Sequence, residues 1–170
     1  MKINIRHYLL KDWEEEITGV VLAENQDWIL LHEIVSDYAL DGYVLANKSQ
    51  IEDHYKNEQS DLQELVLNLR NYLPTLPAHF KMGTVEEMLK QINKQHIIFG
   101  VHEEEEIISI GTIQSIVANE LRLHYISPTG YEDPSIVTPI FMTSIHTITF
   151  DNDYINAVKL LAKYRAAEQN

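Results

Sequence analysis

Short runs that mix apolar and polar residues dominate the first third of the chain. Runs rich in β-branched and aromatic residues, bounded by turn residues, are typical of strands. Five such runs predict strands at residues 1–10, 16–23, 28–35, 43–46 and 50–55. Asn25-Gln26-Asp27 has the composition of a turn, so residues 16–35 are predicted to form a hairpin.

The last part of the chain predicts the same succession of short strands. They lie at residues 96–102, 107–117, 120–126, 136–141 and 144–150. Residues 127–130 are predicted to form a loop between the third and the fourth of them. Pro139 inside the fourth strand predicts an edge position or a bulge, because proline has no N–H to give to a neighbouring strand.

Three segments carry apolar residues at helical spacing instead. Residues 84–93 begin with a capping box of Thr84 and Glu87. Residues 153–167 are acidic at the start and basic towards the end, which suits the dipole of a helix. Residues 61–73 have an apolar stripe that consists of Leu62, Leu65, Val66, Leu69 and Leu73.

An internal repeat relates the two sets of strands. Gly19 to Ile34 recurs without gaps 92 residues later as Gly111 to Ile126, and an acidic run leads into each copy, at 14–16 and at 103–106. A chain that repeats its own pattern is expected to hold two copies of one small domain. Five consecutive short strands must close or fold over to hide their edges, and small, partly open barrels are the usual solution.

We therefore expect a mostly β protein with added helices (α+β), built from two tandem five-stranded barrels. Residues 1–57 are predicted to form the first barrel and residues 96–170 the second, which includes a C-terminal helix. Residues 58–95 are predicted to form a connector of two helices. These helices would cover the barrel ends or hold the two copies together.

The third strand of the first copy is apolar on both faces. Ile29 and Leu31 alternate with Trp28 and Leu30, so each face of this strand carries two large apolar side chains. A strand that is apolar on both faces is buried on both. A helix, the other copy or a second protein would have to cover its outer face.

Charge and composition narrow the class of function. The 170 residues carry a net charge of −13 and no cysteine, so disulfide and thiolate chemistry are excluded. The acidic excess lies in the two repeats, while residues 61–95 are neutral. Such a surface repels phosphate backbones and anionic lipid; it serves solubility, or meets a basic protein partner.

The sequence also predicts where the protein resides. No window approaches the roughly 18 apolar residues that a membrane span needs. The N-terminal segment lacks the apolar core of a secretory signal. We therefore expect a cytoplasmic protein without membrane contact.

Standard catalytic patterns are missing from the sequence. There is no phosphate-binding loop, no nucleophile elbow and no HExxH motif. The eight histidines are too far apart for a local chelating pair, the nearest two being His96 and His102. We expect no catalytic residue, metal or cofactor. A metal-dependent enzyme that uses His32, His124 and a nearby carboxylate is an alternative.

Aromatic residues cluster around the third strand of each copy and the loop that follows it. They are Trp28, Tyr38, Tyr43, Tyr125 and Tyr131. Small barrels bind bases by stacking on such positions. The neighbouring charged residues here are acidic, whereas stacking modules pair aromatics with lysine and arginine, so binding of nucleic acid is disfavoured.

The motifs resemble those of a group of uncharacterised bacterial proteins with SH3-like or Sm-like small barrels. In the second copy the resemblance rests on Gly111-Thr112-Ile113, residues 123–130 and residues 148–154. In the first copy it rests on Gly19-Val20-Val21, residues 31–34 and Asp41-Gly42-Tyr43. The resemblance implies duplicated SH3-like or Sm-like barrels and carries no activity over to particular residues. The acidic loops depart from the basic and polar loops of Sm-like RNA chaperones.

These observations favour a non-enzymatic, acidic protein-binding or adaptor module, for which immunity proteins that neutralise toxins are an analogy. An Sm-like RNA-binding module is the other alternative. The expected partner is another protein, with a basic partner or a second copy of the chain both open. The expected partner-binding residues are Trp28, Leu30, His32, Tyr38, Tyr43, His124 and Tyr131.

Overall fold

A computed structural model describes residues 2–96 and 98–168 of the chain. Met1, Ile97, Gln169 and Asn170 lie outside the described residues. The predicted strands that begin at Met1 and cross Ile97 are therefore described only in part, as is the end of the second predicted domain.

The described residues form a mostly antiparallel β structure with three helices, which confirms the α+β class. The strands are β1 (Ile5–Leu10), β2 (Glu16–Glu24), β3 (Trp28–Ser36), β4 (Ala39–Asn47), β5 (Ile51–Tyr55), β6 (Phe99–His102), β7 (Ile108–Val117), β8 (Glu120–Ile126), β9 (Glu132–Phe141) and β10 (Thr147–Phe150). The helices are α1 (Glu58–Leu69), α2 (Val85–His96) and α3 (Asp153–Glu168). None of the described helices has the length and apolar character needed to cross a membrane.

The ten strands of the described residues belong to one sheet. Its order is β5-β1-β2-β3-β4-β10-β6-β7-β8-β9, and every pairing is antiparallel. The order ends at β5 and β9, so the sheet is not closed. The pairing of β4 with β10 joins the two sets of strands, so the predicted pair of five-stranded barrels is not confirmed. β9 lies at an edge, as Pro139 predicts.

Both sets of five strands have the same order. In each, the fifth strand comes first in the order and is followed by the first, second, third and fourth. The irregularities in pairing also recur. The register of β2 against β3 shifts between Val21 and Ala23, and that of β7 against β8 shifts between Ile113 and Ser115, 92 residues later.

The largest core lies between the two halves of the sheet and is covered by α2. Trp28 and Leu30 of β3 belong to it together with Leu121 and Leu123 of β8. Helix α2 contributes the fully buried Met88, Leu89 and Ile92. Ile29 and Leu31 are also buried, in a second cluster on the other face of β3. The expectation that β3 is buried on both faces is confirmed, and the cover belongs to this chain.

Helix α2 begins as its sequence predicts, and α3 covers a separate core. The Thr84 N–H donates to the Glu87 carboxylate at 2.9 Å, and the Glu87 N–H donates to the Thr84 hydroxyl at 3.3 Å. This is the predicted capping box. Helix α3 packs Ile155, Val158 and Ala162 against a third cluster in the second half.

Helix α1 differs from its prediction in bounds, and most of its predicted apolar stripe is exposed. It spans Glu58–Leu69, and Asn57 and Ser60 cap its start. Its buried residues are Ser60, Gln63 and Leu67. Four leucines of the predicted apolar stripe point to solvent; the exposed fractions are 53% for Leu62, 53% for Leu65, 74% for Leu69 and 73% for Leu73. Helical spacing identified the apolar side of the segment. Hydrogen bonds made by the opposite, polar side turn that polar side towards the sheet and leave the apolar side in solvent.

Candidate functional site

The structure divides the seven predicted partner-binding residues among several places. Trp28 and Leu30 are buried in the main core. Side chains this deeply buried offer no contact area to a partner. The other five have some exposure, so the candidate surfaces must be sought around them and elsewhere.

His32 and Tyr43 are brought together where the two halves meet. Their rings stack with centroids 4.9 Å apart, and His32 Nδ1 lies 2.8 Å from the hydroxyl of Tyr72. Tyr43 stacks in turn on the buried Phe150 of β10, at 5.4 Å. We call His32, Tyr43, Tyr72 and Phe150 the aromatic cluster. It packs the loop after α1 against the joint between β4 and β10.

Burial keeps the polar groups of the aromatic cluster neutral. Desolvation lowers the pKa of His32, although Asp41 and Asp151 oppose the shift. Desolvation also raises the pKa of Tyr72 to about 12. At neutral pH the bond between these two side chains therefore joins two uncharged groups, which suits a structural contact.

Glu33 follows His32 along β3 and is the carboxyl with the most unusual titration. Desolvation, and then the nearby charge of Asp41, raise its pKa to about 7. Perturbed carboxyl groups are typical of catalytic sites, and buried structural positions produce the same shift. Within residues 2–96 and 98–168, no group of three histidine, cysteine, aspartate or glutamate residues is arranged to hold a metal ion.

His124 lies in different surroundings from His32. It lines a shallow groove of about 220 Å³ with Thr112, Tyr125, Glu132 and Asp133. This groove contains none of the residues that contact His32. Tyr131 lies nearby in sequence, half exposed, with the guanidinium of Arg165 4.8 Å above its ring.

Tyr38 adjoins helix α1. Its carbonyl accepts a hydrogen bond from the Arg70 side chain at 3.0 Å, and the carbonyl of Asp37 accepts one from Gln63 at 2.7 Å. These two bonds attach the turn between β3 and β4 to the helix. Gln63 belongs to the inward, polar side of α1, and Arg70 directly follows the helix.

A chain of hydrogen bonds around His7 resembles a catalytic triad in its connections. His7 Nδ1 lies 2.7 Å from a carboxylate oxygen of Glu16, and Nε2 lies 3.0 Å from the hydroxyl of Ser60. A serine nucleophile has to be reached by a substrate. Ser60 is fully buried, and it also binds Asn57 in the cap of α1. This network fixes α1 to β1 and explains why the polar side of the helix faces inward.

The two acidic runs, distant in sequence, converge on one groove. The N–H groups of Glu14 and Glu15 donate to the carboxylate of Glu105 at 2.9 and 2.7 Å. Seven carboxylates line the acidic groove, which has a volume of about 510 Å³ in its main part; they are Asp12, Glu14, Glu15, Glu103, Glu104, Glu105 and Glu106. Trp13 forms part of the wall and stacks on His146 at 5.7 Å. The sequence predicted each run separately, but not their meeting.

The outward side of α1 and the segment that follows it expose four leucines. We call Leu62, Leu65, Leu69 and Leu73 the leucine face. Glu58 lies at its N-terminal end and Asp61 along one side, both exposed. The helical spacing of these leucines predicted an apolar stripe, and they were not among the predicted partner-binding residues.

Comparison of the chain with protein-family models, with curated proteins and with solved structures finds no match.

Proposed function

We propose that the chain is a non-enzymatic, cytoplasmic protein-binding module and that the leucine face is its docking surface. The supporting observation is the orientation of α1, which buries Ser60 and Gln63 while four leucines remain in water. Contiguous exposed apolar surface marks an interaction site in a folded domain. The N-terminal cap of α1 and the hydrogen bond between Ser60 and His7 fix the helix with its leucines outward. The exposure of the leucine face is therefore determined by the fold.

The proposed partner is an amphipathic helix with an apolar side flanked by lysine or arginine. A helix that presents leucines at i, i+3 and i+7 fits another apolar helix side by side. Glu58 and Asp61 border the face, and Asp61 is paired with Lys56 at 2.8 Å. The attraction for a basic partner therefore comes from Glu58 and from the net charge of −13. The acidic groove strengthens the same field.

Four observations favour binding over the enzymatic and RNA-binding alternatives. The Ser60–His7–Glu16 chain is closed to substrate, and burial accounts for the pKa of Glu33. For RNA, exposed Tyr131 stands beside Glu132 and Asp133, whose charges repel phosphate. The Arg165 guanidinium already covers the ring of Tyr131.

We also infer that the two sets of strands arose by duplication of one five-stranded, SH3-like or Sm-like unit. Support comes from their identical strand order and from the register shifts that recur at the same repeat positions. The glycines that open the repeat also have equivalent surroundings: Gly19 packs against Leu31 and His32, and Gly111 against Leu123 and His124.

The docking proposal is tested with a dye-labelled synthetic helix that carries leucines at i, i+3, i+4 and i+7 between flanking lysines. Fluorescence anisotropy measures its binding to the full chain and to the triple variant L62S/L65S/L69S. We expect the triple variant to bind at least about tenfold more weakly, because it removes most of the apolar contact. The matched control is L160S on α3, a leucine that is 69% exposed outside the face.

Equal binding by the wild-type chain and the triple variant would overturn the proposal. A version of the peptide with glutamate in place of lysine tests the charge argument, and it is expected to bind more weakly at low salt. Sedimentation of the wild-type chain alone tests whether a second copy of the chain occupies the leucine face. A dimer that the triple variant abolishes would assign the face to a second copy and contradict the proposed partner.

A further inference from the structure

The two halves of the sheet are joined by β4 and β10. Leu45 of β4 lies opposite Ile148 of β10. Two residues further along β4, the N–H of Asn47 donates across the joint to the carbonyl of His146 at 2.9 Å. Because alternate N–H groups of a strand point to the same side, the N–H of Leu45 also faces β10.

Strand β9 holds the place in the second half that β4 holds in the first. Leu45 lies opposite Leu30 of β3, and Pro139 lies opposite Arg122 of β8. Leu30 and Arg122 are equivalent positions of the 92-residue repeat. Pro139 therefore holds the position of Leu45, but on a strand that has no neighbour on its outer side among residues 2–96 and 98–168.

The outer side of β9 lacks one donor at this position. The N–H of Met142 donates inward, to the carbonyl of Asn119 at 2.9 Å. By alternation, the N–H groups of Phe141 and Val137 point outward. Pro139 lies between them and has no N–H, so the donor that corresponds to Leu45 is missing.

Strand β5 likewise holds the place of β10. His54 lies opposite Tyr8 of β1, and Ile148 lies opposite Val101 of β6. Arg6 lies opposite Gly19 and Phe99 lies opposite Gly111, the equivalent glycines of the repeat. Tyr8 comes two residues after Arg6, and Val101 comes two residues after Phe99. His54 therefore holds the position of Ile148. Its N–H is already occupied, since it donates to the side chain of Asp53 at 2.7 Å.

We propose that β9 and β5 are the two halves of a latent joint for a second copy of the chain, and that Pro139 and Asp53 hold this joint closed. In such a joint Pro139 of one copy would face His54 of the next, as Leu45 faces Ile148 within the chain. A head-to-tail contact of this kind extends into rings or filaments. Exposed sheet edges are an established route to aggregation, and proline is a common means of blocking them.

A two-component experiment tests the proposal independently of the leucine face. P139L opens only the β9 edge, and D53A opens only the β5 edge by freeing the N–H of His54. We expect each variant alone to sediment at the mass of one chain, 19.7 kDa. An equimolar mixture is expected to give a species of twice that mass, and the double variant P139L/D53A a series of higher multiples.

D53N is the matched control, because its amide oxygen still accepts from the N–H of His54 while the charge is removed. A mixture of P139L with D53N is expected to remain at the mass of one chain. P139A replaces P139L if the larger side chain disturbs the fold, since it also restores the N–H. Folded variants whose mixture stays monomeric, or a single variant that assembles as readily as the mixture, would overturn the proposal.

Discussion

Gly19 and Gly111 each lie directly against the carbonyl of the histidine on the facing strand, His32 in the first half and His124 in the second. A Cβ on Gly19 would stand 2.7 Å from the His32 oxygen, and one on Gly111 would come closer still to that of His124. Any side chain at these positions has to push two paired strands apart. The repeat therefore preserves glycine for close backbone approach.

Substitution of either glycine by alanine should destabilise the fold. Overpacking against main chain costs about 1–3 kcal/mol, and we expect G111A to lose more than G19A because its contact is tighter. Urea unfolding followed by circular dichroism measures both. The comparison of G111A with G19A is the internal control, because the two positions are equivalent in the repeat and differ in how close the facing carbonyl lies. A G111A chain that unfolds at the wild-type midpoint would show that β7 and β8 are packed differently.

Glu33 should make the fold less stable as the pH rises. Its pKa is raised to about 7 in the folded chain from 4.5, by burial and by Asp41. The folded state then binds the proton more tightly than the unfolded state, so stability falls as pH increases from about 4.5 to about 7. E33Q removes this loss. We expect E33Q to gain about 1–2 kcal/mol over the wild type at pH 8, with much of the full shift lost to solvent screening, and nothing at pH 4.

The measurement is the free energy of unfolding in urea as a function of pH. E52Q, which changes an exposed glutamate on β5, serves as the control and should leave the pH dependence of stability unaltered. If the wild type and E33Q differ by the same amount at pH 4 and pH 8, the carboxyl of Glu33 titrates normally.

Repulsion within the acidic groove should make stability depend on salt. Carboxylates from the two runs lie close together there, and screening weakens their repulsion at high ionic strength. E104Q/E106Q is expected to gain about 0.5 kcal/mol at low salt and to lose that advantage near 0.5 M sodium chloride. Thermal unfolding across a salt series measures it. E52Q/E132Q removes the same charge elsewhere, so an equal gain from it would assign the effect to net charge alone.

Features carried by local pattern could be predicted from the sequence. The repeat at Gly19 and Gly111 identified two equivalent sets of strands, and Pro139 identified an edge. The run from Trp28 to Leu31 identified a strand buried on both faces, and all four of its residues are buried. Each of these depends on neighbours along the chain or on a direct repeat of them.

Features that depend on distant pairing could not be predicted in this way. The joint between Leu45 and Ile148 brings together strands from different halves, and alternation within either strand says nothing about its neighbour. The contact of Glu14 and Glu15 with Glu105 spans about 90 residues for the same reason. The periodicity of α1 located its apolar side, while the bond between His7 and Ser60 determined that this side faces water.

The orientation of α1 can be tested by a pair of leucines within one turn of each other. Leu67 is only 2% exposed and belongs to the main core, whereas Leu69 is 74% exposed on the leucine face. L67A should cost about 2–4 kcal/mol, since it removes buried contacts and leaves a cavity. L69A should change stability by less than about 0.5 kcal/mol, as is usual for an exposed position. Both changes are leucine to alanine in the same helix, so the same side-chain atoms are removed at both positions. If urea unfolding shows the larger loss for L69A, the helix buries its leucines, as the spacing alone suggests, and the docking surface does not exist.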